Sequence, residues 1–314
     1  MNSKKWSLLA ITLIIAGFAG MAYQGFEFGD ENPYHQQKWS LESLNSLSVD
    51  SSYDVDVEFI ESPDGSNYIE VGGNMAQDTI DKLKSASITG PDVSIDLTEK
   101  FKLSFLTIDF QSTKQHITVA LADQAMIDEI SFKLHSNNGH FSGLRAKDIE
   151  LTTSSGNLSA SSIISEELEI KATSGNVTAT DIQGETEIAV ASGNTKVVNL
   201  HGGLTSKGTS GKLTVIGAEG PLDAKLTSGN IVIKDFTGAG VIHNTSGNVS
   251  VSDQRSDSLD ISVRSGNVTL SVDPEFKGIY DLKAVTGDVK APDSPMETKD
   301  LIKVRTTSGN IKIH

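Results

Sequence analysis

The chain contains no cysteine in 314 residues, which excludes disulfides, thiolate-held metals, a cysteine nucleophile and a lipidated N-terminal cysteine. Aromatic residues are scarce, at 6%, and most lie outside the repetitive C-terminal part of the chain, so the aromatic-lined groove of a glycan-cleaving enzyme cannot be assembled. Basic residues are outnumbered 26 to 41, leaving a formal charge of −15. Nucleic acid is not an expected partner, because association with phosphate needs a basic surface. The acidity suits a soluble, mutually repelling surface. No His-Glu-x-x-His run, calcium loop, phosphate-binding glycine loop or Gly-x-Ser-x-Gly elbow occurs. His35, His116, His135, His140, His201, His243 and His314 are scattered. His135 and His140 are close in sequence but lack a spaced carboxylate partner, so no metal ligand, catalytic residue or cofactor is assigned.

One long apolar run is present. Lys4 and Lys5 precede an uncharged stretch from Trp6 to Tyr23, close to the roughly 20 residues that span a bilayer. Residues 1–23 therefore read as a single-pass signal anchor, with the lysines cytoplasmic and the C-terminal domain extracytoplasmic in the cell membrane. The competing reading is a cleaved signal peptide, for which Gly20-Met21-Ala22 offers a site. Residues 24–38, with Gly25, Gly29 and Pro33, form a polar linker. Residues 39–130 alternate as strands at Tyr53–Phe59, Tyr68–Val71, Val93–Leu97 and His116–Leu121, with a short helix hinted at Ala76–Ser85. This β-rich stretch is expected to cap the remainder of the chain.

That remainder, residues 131–314, is repetitive. The segment Leu168-Glu169-Ile170-Lys171-Ala172-Thr173-Ser174-Gly175-Asn176-Val177-Thr178-Ala179 alternates apolar and polar residues on both sides of a Ser-Gly-Asn corner. Glycines at 139, 156, 175, 193, 211, 229, 247, 266, 287 and 309 mark copies spaced by about 18 residues, a length suited to one coil of a solenoid. Aligned on the glycine, apolar residues form columns five and seven positions before it and two and four after it. An isolated coil cannot bury such a face, so each must stack on its neighbours. The expected fold is all-β, a single-chain β-solenoid (β-helix) of about ten coils of ~18 residues, preceded by the β-rich N-terminal cap and one transmembrane helix.

Stacking also lines up the corners. Gly156-Asn157, Gly175-Asn176, Gly193-Asn194, Gly229-Asn230, Gly247-Asn248, Gly266-Asn267 and Gly309-Asn310 predict a structural asparagine ladder, interrupted by Lys212 and Asp288. An outward acidic column runs beside a basic one, with Glu169, Asp223 and Asp281 next to Lys171, Lys207, Lys225, Lys283 and Arg305. Opposite charges there relieve the repulsion of stacked identical coils. The same stripe could serve as a docking face for cell-wall polymer or envelope protein. Thr153, Thr173, Thr209, Thr227, Thr245 and Thr307, just before the corner glycines, are too alike to form a catalytic constellation. The chain stops at Ile311-Lys312-Ile313-His314 inside the last coil, so self-association through that C-terminal coil edge is a further expectation.

The N-terminal membrane segment, the lead-in ending Ile117-Thr118-Val119-Ala120-Leu121 and the Thr-Ser-Gly-Asn corners together resemble the bacterial "putative adhesin" family of envelope β-solenoid proteins, including LiaG-like membrane proteins of envelope-stress operons. The resemblance covers nearly the whole chain and implies no catalytic residues. It points to a non-enzymatic, membrane-tethered extracytoplasmic scaffold or adhesin-like protein of the cell envelope. Two alternatives stay open: an accessory protein of an antibiotic or envelope-stress response, and a solenoid that binds or cleaves wall glycan.

Overall fold

Period-two alternation dictates the layer. In the coil that starts at Leu168, the side chains of Leu168, Ile170 and Ala172 point inward while Glu169, Lys171 and Thr173 point out. Past the Gly175-Asn176 corner, Val177 and Ala179 point inward again. Asp181 then breaks the alternation. Its φ of +55° swings the chain so that Ile182, three residues after Ala179, also enters the core. The same left-handed kink recurs at Ser162, Asn199, Asp235 and Asp253, mostly residue types whose short polar side chains tolerate this conformation. Each coil is thus an inbound strand, the Ser-Gly-Asn corner, a kinked outbound strand and a second turn.

The computed structural model describes residues 32–88, 90–99, 113–123, 125–255 and 258–314. The expected anchor, residues 1–23, and most of the linker lie outside the described residues. Among the described residues no helix is long and apolar enough to cross a membrane.

The lead-in contains β1 (Tyr34–Leu41), β2 (Ser46–Ser51), β3 (Asp54–Glu61), β4 (Asn67–Asn74), helix α1 (Gln77–Ser85), β5 (Asp92–Leu97) and β6 (Lys114–Leu121). The body begins with β7 (Ile127–Leu134), β8 (Gly139–Ser142), β9 (Arg145–Ser155), β10 (Leu158–Ser174) and β11 (Val177–Ser192). It continues through β12 (Thr195–His201), β13 (Leu204–Ser210), β14 (Leu213–Glu219), β15 (Leu222–Ser228), β16 (Ile231–Thr237), β17 (Gly240–Ser246) and β18 (Val249–Arg255). It ends with β19 (Ser258–Ser265), β20 (Val268–Val272), β21 (Ile279–Thr286), β22 (Val289–Lys290), β23 (Leu301–Ser308) and β24 (Ile311–Ile313). β10 and β11 run through the second turn, so each supplies one outbound and the next inbound stretch.

These strands make a β-solenoid of about ten coils led in by an N-terminal β region, and at about 4.8 Å per layer the body is a rod about 45 Å long. All pairings along the body are parallel, in register from coil to coil: Ile170 lies beside Ile188, and Val177 beside Thr195. The stack extends into the lead-in. β2 pairs with β7 and β5, and β3 with β8 and β6, all in parallel, so these pairs are further layers of the same rod. Closure is left to β4 and β1, which add antiparallel strands beyond β6, and to α1, which packs on β5.

Chain order and stacking order differ at both ends. The β2/β3 layer sits between β5/β6 and β7/β8. At the other end β23/β24 slides between β19/β20 and β21/β22. The C-terminal residues Ile311–His314, expected at an open edge, are therefore one layer inside, and the outermost layer is β21/β22. Ile302, Val304 and Thr306 of β23 are buried, whereas Tyr280, Leu282 and Ala284 of β21 fill the same columns less completely.

The first corner also differs from its sequence alignment. Gly139 pairs with Leu158 inside the outbound sheet, and Phe132, not Leu134, pairs with Leu151. The corner of that layer is Asn137-Asn138, two residues earlier, which restores the usual spacing to Gly156. Gly139 instead makes room: a Cβ there would lie 2.5 Å from Phe141, whose ring meets Phe132 edge-on with centroids 5.0 Å apart.

Tyr53 ties α1 to the stack. Its hydroxyl lies 3.1 Å from Thr79 Oγ1 and accepts the Ala76 N–H at 3.0 Å, at the start of a helix whose N-cap side chain makes no hydrogen bond. Burial, then the hydrogen bond with Glu99, raises the phenol's pKa well above its ordinary 10.0. The fold prefers the neutral phenol, so this contribution is complete below pH 10 and is lost as pH climbs from there toward the folded-state pKa. Thermal unfolding at pH 8 and pH 11 should show a smaller alkaline loss for Tyr53→Phe than for the parent.

Candidate docking face

The inbound strands β7, β9, β10, β11, β13, β15, β17, β19, β23 and β21 form one continuous sheet, and its outer surface carries every residue of the charge stripe read from the sequence. Geometry pairs most of them. Lys171 Nζ lies 2.7 Å from Glu169 and 3.5 Å from Glu150, Lys207 lies 2.6 Å from Glu187, and Lys225 lies 2.8 Å from Asp223. Lys303 meets Asp260 at 2.7 Å, and Arg305 pairs with Asp281. Hydrogen bonds donated to Glu169 and Glu187 hold the ammonium groups of Lys171 and Lys207 above their usual pKa. These pairs are largely solvated, so each adds little to stability and mainly keeps like charges apart. Lys283 and Arg264 make no ion pair among the described residues.

Two shallow troughs follow the basic column. One, of about 550 Å³, has a floor of Ala172, Ala189, Val190 and Gly208 and a rim of Lys133, His135, Lys171 and Lys207. The outer column is low at Ala189, because the layers on either side carry Lys171 and Lys207 there. The other, of about 520 Å³, is bordered by His243, Arg264, Lys283 and Arg305. Among the described residues no three of histidine, aspartate and glutamate gather closely enough to hold a metal ion, and His135 contacts Asp50 at 2.9 Å rather than His140.

The corner residues form a ladder in which each asparagine side chain accepts the backbone N–H of the next layer. Asn176 N–H donates to Asn157 Oδ1 at 3.0 Å, Asn194 to Asn176 at 3.1 Å and Lys212 to Asn194 at 3.0 Å. The series resumes with Asn248 donating to Asn230, Asn267 to Asn248 and Asn310 to Asn267, each at 2.9 Å. Asp288 N–H then donates to Asn310 Oδ1 at 2.9 Å, so Asp288 ends the ladder rather than interrupting it. Lys212 receives no role as acceptor because its side chain has none to offer. The sequence reading missed Asn138, which accepts from Asn157, and Asp54, which accepts from Asn138. The doubled Asn137-Asn138 was the available signal. It also missed the kink column, whose trace is the three-residue step between inward positions. Asn176→Ala should cost about 1 kcal/mol in urea unfolding and speed amide exchange at Asn194, because one exposed acceptor is lost.

The described residues thus form a stacked parallel β-solenoid whose outer columns repeat from layer to layer. The chain belongs to the family described as toastrack DUF4097, whose model matches residues 44–233 and again 217–314. Among solved structures it is similar to a "putative adhesin" from Bacteroides fragilis, at 15% identity over 91% of this chain and 100% of that one, with a TM-score of 0.36. It is also similar to a "putative lipid binding protein" from Parabacteroides distasonis, at 16% identity over 91% and 99%, with a TM-score of 0.40. A "putative cell adhesion protein" from Clostridium sporogenes matches at 12% identity over 90% and 99%, with a TM-score of 0.25. No curated protein matches the chain.

Proposed function

We propose that this protein is a non-enzymatic, adhesin-like scaffold of the bacterial cell envelope, held to the membrane by its N-terminal segment with the solenoid on the extracytoplasmic side, and that its inbound face docks on cell-wall polymer or an envelope protein. The observation that carries this reading is the face itself: ion-paired columns repeat along the rod, and the troughs between them are shallow and lined by side chains repeated from layer to layer. Catalysis needs one distinct constellation, whereas an extended polymer can use many equivalent contacts. The uncharged run behind Lys4 and Lys5 supports the tether and its orientation.

Two experiments test the parts separately. The full chain should be retained by intact cell walls without releasing soluble glycan, and Lys171→Glu with Lys207→Glu should lower retention. Release of glycan fragments would overturn the non-enzymatic reading. A C-terminal tag on intact cells should be removed by added protease, and a protected tag would overturn the orientation.

A further inference from the structure

Charge is matched along the first half of the inbound face, where Lys171, Lys207 and Lys225 are held by Glu169, Glu187 and Asp223 of the acidic column. Past β15 the matching fails. From β17 through β19 and β23 to β21 the acidic column reads Val241, Asp260, Lys303 and Asp281, so a valine and a lysine take two of its four places. Its two aspartates are already engaged, Asp260 with Lys303 at 2.7 Å and Asp281 with Arg305. The basic column beside it reads His243, Ser262, Arg305 and Lys283 over the same layers, and Arg264 follows in the next outward column. Lys283 and Arg264 are exposed and stay without an ion pair among the described residues.

These cations border the trough of about 520 Å³, and no aspartate or glutamate lines it. Hydroxyl donors stand among them, from Thr245, Ser262 and Thr307. Cations and hydroxyls without a carboxylate make a site for an anion. The donors rise from four layers and two columns, so they approach from several directions. A carboxylate is planar and is gripped in its plane, whereas the tetrahedral oxygens of a phosphate can be reached from all these sides. From His243 to Lys283 the cations extend over three layer steps, about 14 Å, which repeated phosphates on one chain can follow and a single anion cannot. The molecule's charge of −15 opposes a stiff polyanion laid along the whole rod. Charges more than about 10 Å away are largely screened at ordinary salt, so a flexible chain that meets the trough alone senses mainly these cations.

We propose that this trough binds a flexible phosphate-bearing polymer, with Arg264 and Lys283 supplying the charges that no carboxylate of the protein claims. The proposal names a polymer class for the docking face and rests on that reading only for where the polymer is met, at the cell envelope. Lys171 and Lys207 are not part of this site.

The test measures binding of the full chain, in mild detergent, to fluorescently labelled long-chain inorganic polyphosphate. The parent should bind, and Arg264→Gln and Lys283→Gln should each weaken binding about fivefold or more and flatten its fall with salt. Arg264→Lys keeps the charge and should retain most of the affinity, which separates lost charge from lost folding. Lys171→Gln with Lys207→Gln should change binding by less than about twofold, since Lys207 lies three layers from Ser262 and both lysines are already paired. The two readings can therefore fail apart: walls that do not retain the chain while polyphosphate binding stays intact count against the docking face alone. Polyphosphate binding indifferent to both single Gln variants would overturn this site alone. So would polyglutamate of equal charge binding as tightly, or inorganic phosphate competing as well, phosphate for phosphate, as the polymer.

Discussion

Gly193→Ala should break the middle of the rod. The corner glycine has φ +143°, and a Cβ built on it would sit 1.7 Å from the carbonyl oxygen of Gly175 in the layer below. That oxygen belongs to backbone, so nothing flexible can move aside. The layers cannot separate locally either, because Gly193 N–H donates to Ser210 O at 3.0 Å and Gly175 N–H to Ser192 O at 3.0 Å. The variant must give up the strained conformation, the corner hydrogen bonds or the layer spacing, and a loss of about 3–5 kcal/mol is expected. Urea unfolding followed by circular dichroism measures it. Gly65→Ala is the control, since that glycine also has positive φ, +74°, but meets nothing within 4 Å, and should lose only about 1 kcal/mol. Stability in a stacked array is close to a sum of layer and interface contributions, so damage at 193 should lower cooperativity as well as the midpoint. Equal losses at 65 and 193 would show that the corner does not depend on close approach of layers.

That close approach was legible in the sequence because it is periodic. Columns such as Ile170, Ile188, Ile242 and Ile261 alternate with charged residues and recur with the corner, so the solenoid, its inner face and the charge stripe could be read from spacing alone. The features that escaped have no period. Layer order at the ends is a pairing between distant segments, β19 with β23 and β23 with β21, that no local pattern announces. The shortened step to Gly156 could have exposed Gly139 as a strand residue, but a glycine beside a histidine and a phenylalanine reads equally as a corner. The kink at Asp181 was hidden because a left-handed residue in mid-strand shifts the period by one and makes the outbound run look irregular. The charge stripe was visible as chemistry, yet which lysines lack a counter-charge depends on the exchanged end layers, so Lys283 could not be singled out beforehand.

Phe236→Ala should lose about 3–5 kcal/mol, the range for removing a fully buried phenylalanine. Phe236 sits just after the kink at Asp235 and occupies a column filled in other layers by Ile163, Ile182, Leu200 and Ala218. Its size is accommodated nearby. The next inbound strand starts with Gly240, where its neighbours have Leu222 and Leu259, and a Cβ at 240 would lie 3.1 Å from the Phe236 ring and 2.7 Å from Leu259 Cδ1. The ring and the missing side chain share one volume. Gly240→Leu alone should therefore overpack the layer and cost about 1–3 kcal/mol. Together with Phe236→Ala it should refill part of the cavity, so the double variant should lose less than the two single losses combined. Denaturant unfolding of the four proteins closes the cycle. Simple additivity would mean that the two positions do not compete for space, and the pairing of a large residue with an absent one in this layer would have to be explained in another way.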